Sequence, residues 1–271
     1  MGIHRRSRLS PIVAVVEAEV KEFILRDMVS ILAVVGLTYL FIALIALAGL
    51  AIGRDPSGFR SITGYSDPLS YQSIGASIVV ISMIIISSMG QYINSASISG
   101  RLESLLAAPV RISTVVIATS IPMIIFGLIT FTLSSLPIVY KAISSYGLHV
   151  VLIATAILGL GMIPIFVLGL LISLAIAKIG SPIALNLAQA VIFTFSGSLY
   201  PVTILPEILG FFSKSLPIIY IADSLRSLLI TGNPDLGGIP TLLLITIAYG
   251  SIGGFLYRRF SRTLRSGGAL A

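Results

Sequence analysis

The sequence predicts an all-α integral membrane protein with six transmembrane helices, and three observations lead there. The 271-residue chain is 56% hydrophobic and 10% charged, with a mean hydropathy of +1.07, whereas a soluble domain carries about a quarter charged residues. Its apolar residues gather into runs free of Asp, Glu, Lys and Arg, mostly of the roughly 20 residues that a bilayer crossing needs. Its lysines and arginines fall unevenly on the segments between those runs, as the positive-inside rule expects. The net charge of +7 follows from that flanking pattern and calls for no nucleic acid. The absence of cysteine excludes a disulfide, a thiol nucleophile and a cysteine-ligated metal.

Residues 1–9 carry Arg5, Arg6 and Arg8. Ser10-Pro11 is a helix start, a cap followed by proline in the first turn. From there to Asp27, Val13, Val16, Val20, Phe23 and Ile24 make one apolar stripe. Glu17 with Lys21, and Glu22 with Arg26, are spaced i to i+4 on the polar side. Residues 10–27 therefore read as an amphipathic helix lying in the membrane interface. Residues 28–52 form the first span and 53–70 a polar loop. The second span covers 71–94.

The segment Gly100 to Arg111 sits between two apolar runs. Leu102, Leu105 and Leu106 form one edge of a short helix, with Arg101, Glu103 and Ser104 off that edge and Pro109 as its stop. Read locally, it is either a loop helix that reverses the chain or a surface helix that presents charges to a partner. The third span covers 113–139, with Pro122 and Pro137 inside, since prolines are tolerated in membrane helices. A short loop with Lys141 precedes the fourth span, 148–177, which is longer than a crossing needs and contains Pro164.

Residues 183–230 allow two spans, or one span followed by helices that do not cross. Pro201, Pro206 and Pro217 break the second half, and Glu207, Lys214, Asp223 and Arg226 are scattered through it. We read 183–199 as the fifth span and 200–230 as short helices on or dipping into the far face, with Asp223 and Arg226 placed i to i+3 to pair. The sixth span is 239–257, followed by Arg258, Arg259, Arg262 and Arg265. With six spans, twelve of the seventeen lysines and arginines share one side and five the other. That bias places both termini in the cytoplasm. A seventh span would put the tail arginines outside.

No Asp, Glu, Lys or Arg lies within the six spans. Gradient-driven transporters, voltage sensors and intramembrane enzymes use ionisable groups at membrane depth, so none of these classes fits. The milder polar groups Gln91 and Asn94 sit at the inner end of the second span, and Asn186 and Gln189 near that of the fifth. They suit either helix-to-helix hydrogen bonding or substrate contact. Gly250 and Gly254 have GxxxG spacing in the sixth span. A Gly-x-x-x-x-Gly-Lys-Ser/Thr loop is absent, so the chain has no phosphate-cradling site of that kind.

Three segments together resemble one family. They are Arg26-Asp27 before the first span, Arg-Leu-Glu-Ser-Leu-Leu-Ala-Ala-Pro-Val at 101–110, and Phe-Ser-Gly-Ser-Leu-Tyr-Pro-Val-Thr-Ile-Leu-Pro at 195–206 with Leu-Pro-Ile-Ile-Tyr at 216–220 and Asp-Ser-Leu-Arg at 223–226. The whole chain resembles a permease subunit of the type-2 ABC export class, the daunorubicin-resistance-like group. The resemblance implies that residues 10–27 are an elbow helix, including Glu22, Arg26 and Asp27. It implies a coupling helix at about 100–109, where Arg101, Leu102, Glu103, Leu105, Leu106 and Pro109 meet a cytoplasmic ABC ATPase. It makes 200–230 re-entrant extracellular helices, with Tyr200, Pro201, Pro206, Tyr220, Asp223 and Arg226 as an outer gate.

Gln91, Asn94, Asn186 and Gln189 would then lie near the cytoplasmic entrance of the pathway. The expected assembly is a pair of permeases, a second copy or a paralogue, on two ATPase subunits in the plasma membrane. This chain would bind no cofactor, and ATP and magnesium would sit on the partner. It would be no enzyme itself. An energy-independent channel or facilitator, or a membrane scaffold that transports nothing, are the competing expectations.

Overall fold

The computed structural model describes residues 32–33, 36, 39–40, 43, 56–99, 112–179 and 182–266. Among them are helices α1 (Pro56–Thr63), α2 (Pro68–Ile98), α3 (Ile112–Tyr146), α4 (His149–Ile179), α5 (Pro182–Phe195), α6 (Glu207–Ser215), α7 (Pro217–Arg226) and α8 (Ile239–Ser266). A 3-10 turn at Val202–Ile204 precedes α6, and a π-helical turn at Ser227–Thr231 follows α7. The described residues contain no strand. Four of these helices, α2, α3, α4 and α8, are long and apolar enough to cross a membrane. The count becomes five if the bent pair α6 and Pro217–Thr231 is taken as one broken span.

The expected interfacial helix at 10–27, with Glu22, Arg26 and Asp27, lies outside the described residues. So does the 101–110 segment with Arg101, Leu102, Glu103, Leu105, Leu106 and Pro109. Of the first span, Leu32, Ala33, Gly36, Tyr39, Leu40 and Ala43 are described, and all are helical. The Tyr39 hydroxyl donates to the Leu133 carbonyl of α3 at 2.9 Å.

α2 is the axis of the bundle. Thirty-one residues at 1.5 Å each make a rod of about 46 Å. Ile74, Ile78, Ile81, Ile85, Ile86 and Met89 of this helix are all fully buried. α2 packs against α3, α4, α5 and α7, and α8 packs against α4 and α7. Close approach rests on glycine where a side chain would collide. A Cβ at Gly127 of α3 would come within 2.7 Å of Ile81, and one at Gly169 of α4 within 2.7 Å of the Met89 sulfur. Lipid offers no hydrophobic drive between helices, so contact at this range is what holds them.

Asp67 starts α2. Its carboxylate accepts from the Ser70 backbone N–H at 3.2 Å and from the Ser70 hydroxyl at 2.7 Å, with Pro68 in the first turn. It also pairs with Lys141 of α3 at 2.9 Å. Burial alone would raise its pKa, but the Ser70 hydrogen bonds and the Lys141 ammonium outweigh burial and hold the carboxyl below its ordinary range.

Several boundaries differ from the sequence reading; the last helix, for one, runs to Ser266 where the span was read to 257. The third span was expected to end at 139, yet α3 runs on to Tyr146, so Lys141 is helical and the connection shrinks to Gly147-Leu148. Gly147 ends it with φ +93, donating to the Ile143 carbonyl at 2.8 Å. The loop expected at 53–70 contains the helix α1, closed by Gly64 at φ +78. The fifth span was expected over 183–199, but α5 stops at Phe195. Its 14 residues reach about 21 Å, short of the roughly 30 Å hydrocarbon core. Gly197, at φ +64, turns the chain there.

Candidate functional site

Two groups of residues stand out from the sequence, and the structure places them at opposite ends of α2. The first group is Gln91 and Asn94 on α2 with Asn186 and Gln189 on α5. A Cβ at Gly90 would come within 2.6 Å of Leu185, and the Gln189 side-chain amide donates to the Ser87 hydroxyl. These contacts hold both polar pairs at the Ile98 end of α2. Gln91 and Asn186 are exposed, while Asn94 and Gln189 are half-buried. Gln189 thus takes the helix-to-helix role, bridging α5 to α2.

The second group surrounds the bend between α6 and α7, at the Tyr71 end of α2. Leu216, before Pro217, is extended at φ −83, ψ 135, because proline pushes its predecessor out of helical geometry. The two arms diverge by 83°. The Tyr220 hydroxyl donates to the Lys214 carbonyl at 2.7 Å, pinning the bend from inside. The Tyr249 hydroxyl of α8 donates to the Ser215 carbonyl at 2.8 Å. At the other end of the bent pair, the Tyr146 hydroxyl of α3 donates to the Ile230 carbonyl at 2.7 Å. Gly232, at φ +81, ends the π-helical turn so close to the Tyr146 ring that a Cβ would overlap it. Pro201 and Pro206 frame the 3-10 turn, at φ −64, ψ 133 and φ −52, ψ 148. Tyr200 donates its hydroxyl to the Thr194 carbonyl.

Arg226 lies at the centre of this group and is 0% exposed. The pairing expected from its spacing is present: its Nη1 donates to Asp223 Oδ1 at 2.8 Å. The sequence did not reveal its other partners. Nε donates to the Tyr71 backbone carbonyl at 3.1 Å, Nη2 donates to the Ser198 carbonyl, and Cζ sits 3.5 Å above the centroid of the Tyr71 ring. A guanidinium stacked on a ring and spread over three acceptors is a well-satisfied buried cation. Phe59 and Tyr65 complete the aromatic wall, with ring centroids 5.4 and 5.6 Å from Tyr71. Burial, and then the Asp223 carboxylate, push the Tyr65 phenol up. Burial likewise raises Tyr200.

Tyr71, Tyr65 and Gly75 belong to the site and were not singled out in the sequence. The one signal for Gly75 was a glycine inside an apolar span, the mark of a close approach. An open groove of about 460 Å³ runs beside the bend, lined by Val202, Thr203, Leu205, Glu207, Phe211 and Lys214. Among the described residues, no three His, Asp or Glu side chains gather to hold a metal. The arrangement offers acceptors, aromatic faces and a pinned bend. Gly250 and Gly254 have open space before them, with no described atom within 4 Å of a Cβ at either position.

Compared with known protein families and with curated proteins, the chain finds no match in either.

Proposed function

We propose that this chain is the membrane-spanning permease subunit of an ATP-driven exporter of the type-2 ABC class. It forms the translocation path as a pair and is driven by a separate cytoplasmic ATPase. The observation that carries the reading is the bent pair α6–α7. It is a proline-broken pair bent by 83° between the fifth and last apolar segments, anchored to α2, α3, α4 and α8 at one end of the bundle, and we read it as re-entrant. A helix-break-helix that folds back on the bundle gives a pathway a roof without adding a crossing. The long apolar helices add a second support. They hold no Asp, Glu, Lys or Arg within their membrane windows except Lys141, near the end of α3. Energy coupling through an intramembrane carboxylate therefore has no group to use in these four helices, which supports a driving force from another polypeptide.

In this reading the Tyr71 end of α2 faces outward and the Ile98 end faces the cytoplasm. The partner binds ATP and magnesium and pushes on residues 100–109, with Arg101 and Glu103 as charged contacts and Leu102, Leu105 and Leu106 as packing contacts. The push does work if the two permease states bind the ATPase with different free energy. Gln91, Asn94 and Asn186 line the cytoplasmic entrance, while Gln189 holds α5 to α2 beside it. Tyr200, Pro201, Pro206, Tyr220, Asp223 and Arg226 form the outer gate. The cell membrane is the site of action, with both termini on the cytoplasmic side. The test is purification of the tagged chain in mild detergent, with mass spectrometry and an ATPase assay. Glu103→Arg and Leu106→Asp should each release a co-purifying ATP-hydrolysing subunit while the chain stays folded. Unchanged association and transport in both variants would refute the docking role.

A further inference from the structure

We infer that Arg226 is the joint that makes the start of α2, the 196–200 turn and the bent pair move as one body, so that any displacement of α2 is delivered to the bent pair. The joint is argued from contacts alone. The proposed function is needed only for the origin of the displacement.

The guanidinium of Arg226 belongs to α7, yet it spends its donors on two other segments. Nε binds the Tyr71 carbonyl of α2, Nη2 binds the Ser198 carbonyl of the turn, and Asp223 of its own helix supplies the counter-charge. The flat face of the group lies on the Tyr71 ring at 3.5 Å. One helical turn further along α2, Gly75 leaves room for the same turn. A Cβ there would occupy the position of the Ser198 carbonyl oxygen. The turn is therefore seated directly on the α2 backbone, and Arg226 closes over it.

The ion pair is weak evidence of stability, because Asp223 is half exposed and apolar residues of similar volume often hold a core as well as a buried charge does. What arginine adds is a planar fork with fixed bond directions, which sets how three segments sit relative to one another. α2 itself has no proline after its first residue and runs unbroken to Ile98, next to the 100–111 segment. A rod pinned at its far end to the bent pair carries a shift from one end of the bundle to the other. Arg226 is thus a positioning residue for the gate.

The chain's lack of cysteine allows a direct test. Ser198 is fully buried and its hydroxyl has no hydrogen-bond partner, so Ser198→Cys removes no bond. Maleimide labelling of the introduced thiol should be slow in the otherwise native chain. Arg226→Gln should speed it roughly tenfold or more, the factor expected when hydrogen bonds to a charged group are lost. Gly75→Ala should speed it too, because its Cβ would displace the Ser198 carbonyl and crowd the Arg226 Nη2 at 2.5 Å. Arg226→Lys, which keeps the charge and loses the fork, should fall between. If Arg226→Gln loses its helical circular dichroism, Gly75→Ala and Arg226→Lys decide alone. Unchanged labelling in the folded variants overturns the joint.

Transmission is tested in the complex with the ATPase. ATP should change the labelling rate of a reporter thiol introduced by Ile208→Cys at an exposed position of α6. Arg226→Gln should abolish that change while the partner continues to hydrolyse ATP, and a change that persists overturns transmission. If no ATPase co-purifies, the proposed function falls, and labelling of the Ser198→Cys chain still decides the joint.

Discussion

Gly161→Ala tests whether the bent pair is packed into the bundle as described. Gly161 lies on α4 where α7 crosses it. A Cβ there would sit 2.6 Å from Cγ1, 2.7 Å from Cδ1 and 3.1 Å from Cγ2 of Ile221. Carbon atoms in contact rest at about 3.5–4.0 Å, so the added methyl overlaps by about 1 Å. Ile221 is 1% exposed and has little room to retreat. Overpacking of this kind costs about 1–3 kcal/mol, against a gain of about 0.5–1 kcal/mol from replacing glycine inside a helix. The net expectation is a loss of about 1–2 kcal/mol.

Ile221→Ala removes all three clashing atoms. In that background Gly161→Ala should be neutral or stabilising, which gives a coupling of about 1–3 kcal/mol between the two positions. The assay is unfolding of the four proteins in mixed micelles of rising SDS content, followed by far-UV circular dichroism. Additive effects, with a coupling below about 0.5 kcal/mol, would show that α7 does not lie on Gly161.

Three further outcomes are expected. Asp67→Ala should cost about 1–2 kcal/mol, a lost cap plus a small share from the exposed Lys141 partner; because the native Asp67 pKa is depressed, its contribution is full above the ordinary carboxylate value of about 4 and is lost as pH falls through the native value, so the variant's stability should lose that part of its acid slope in a pH series of SDS titrations. Gln189→Leu should lower stability by about 0.6 kcal/mol, the typical worth of a hydrogen bond between membrane helices, and leave transport of any cargo within a factor of two to three. Gly250→Ala and Gly254→Ala should not lower the unfolding midpoint, since a Cβ meets no described atom at either position; a drop in either would place a partner surface on that face.

The long apolar helices were legible because charge-free runs of crossing length leave few alternatives: α2, α3 and α8 each contain the span read for them, and α4 all of its span but Leu148. Their ends were less legible, because a glycine such as Gly147 stops a helix by backbone conformation, which hydropathy does not register. The shortness of α5 was hidden for the same reason. Its apolar run continues past Phe195, while Gly197 turns the backbone away. The bend at 216–217 was visible through Pro217.

Arg226 shows where sequence reasoning runs out. Its partner three residues away follows from helical spacing. Its partners 155 and 28 residues away are backbone carbonyls, which every residue type carries. Side-chain patterns do not encode such contacts. Of the four polar residues assigned to a pathway, Gln189 alone is shown bonding across helices, to Ser87, a contact that sequence spacing could not separate from cargo binding.

The most direct measurement of the central claim is recovery of the chain from its native membranes in mild detergent, with the co-purifying proteins identified and assayed for ATP hydrolysis. The account predicts a soluble subunit with an ATP-binding loop, held in the complex by the wild-type chain and released by Leu106→Asp. A folded chain that emerges alone, with no ATP hydrolysis in any preparation, would contradict it and point instead to an energy-independent channel or a scaffold.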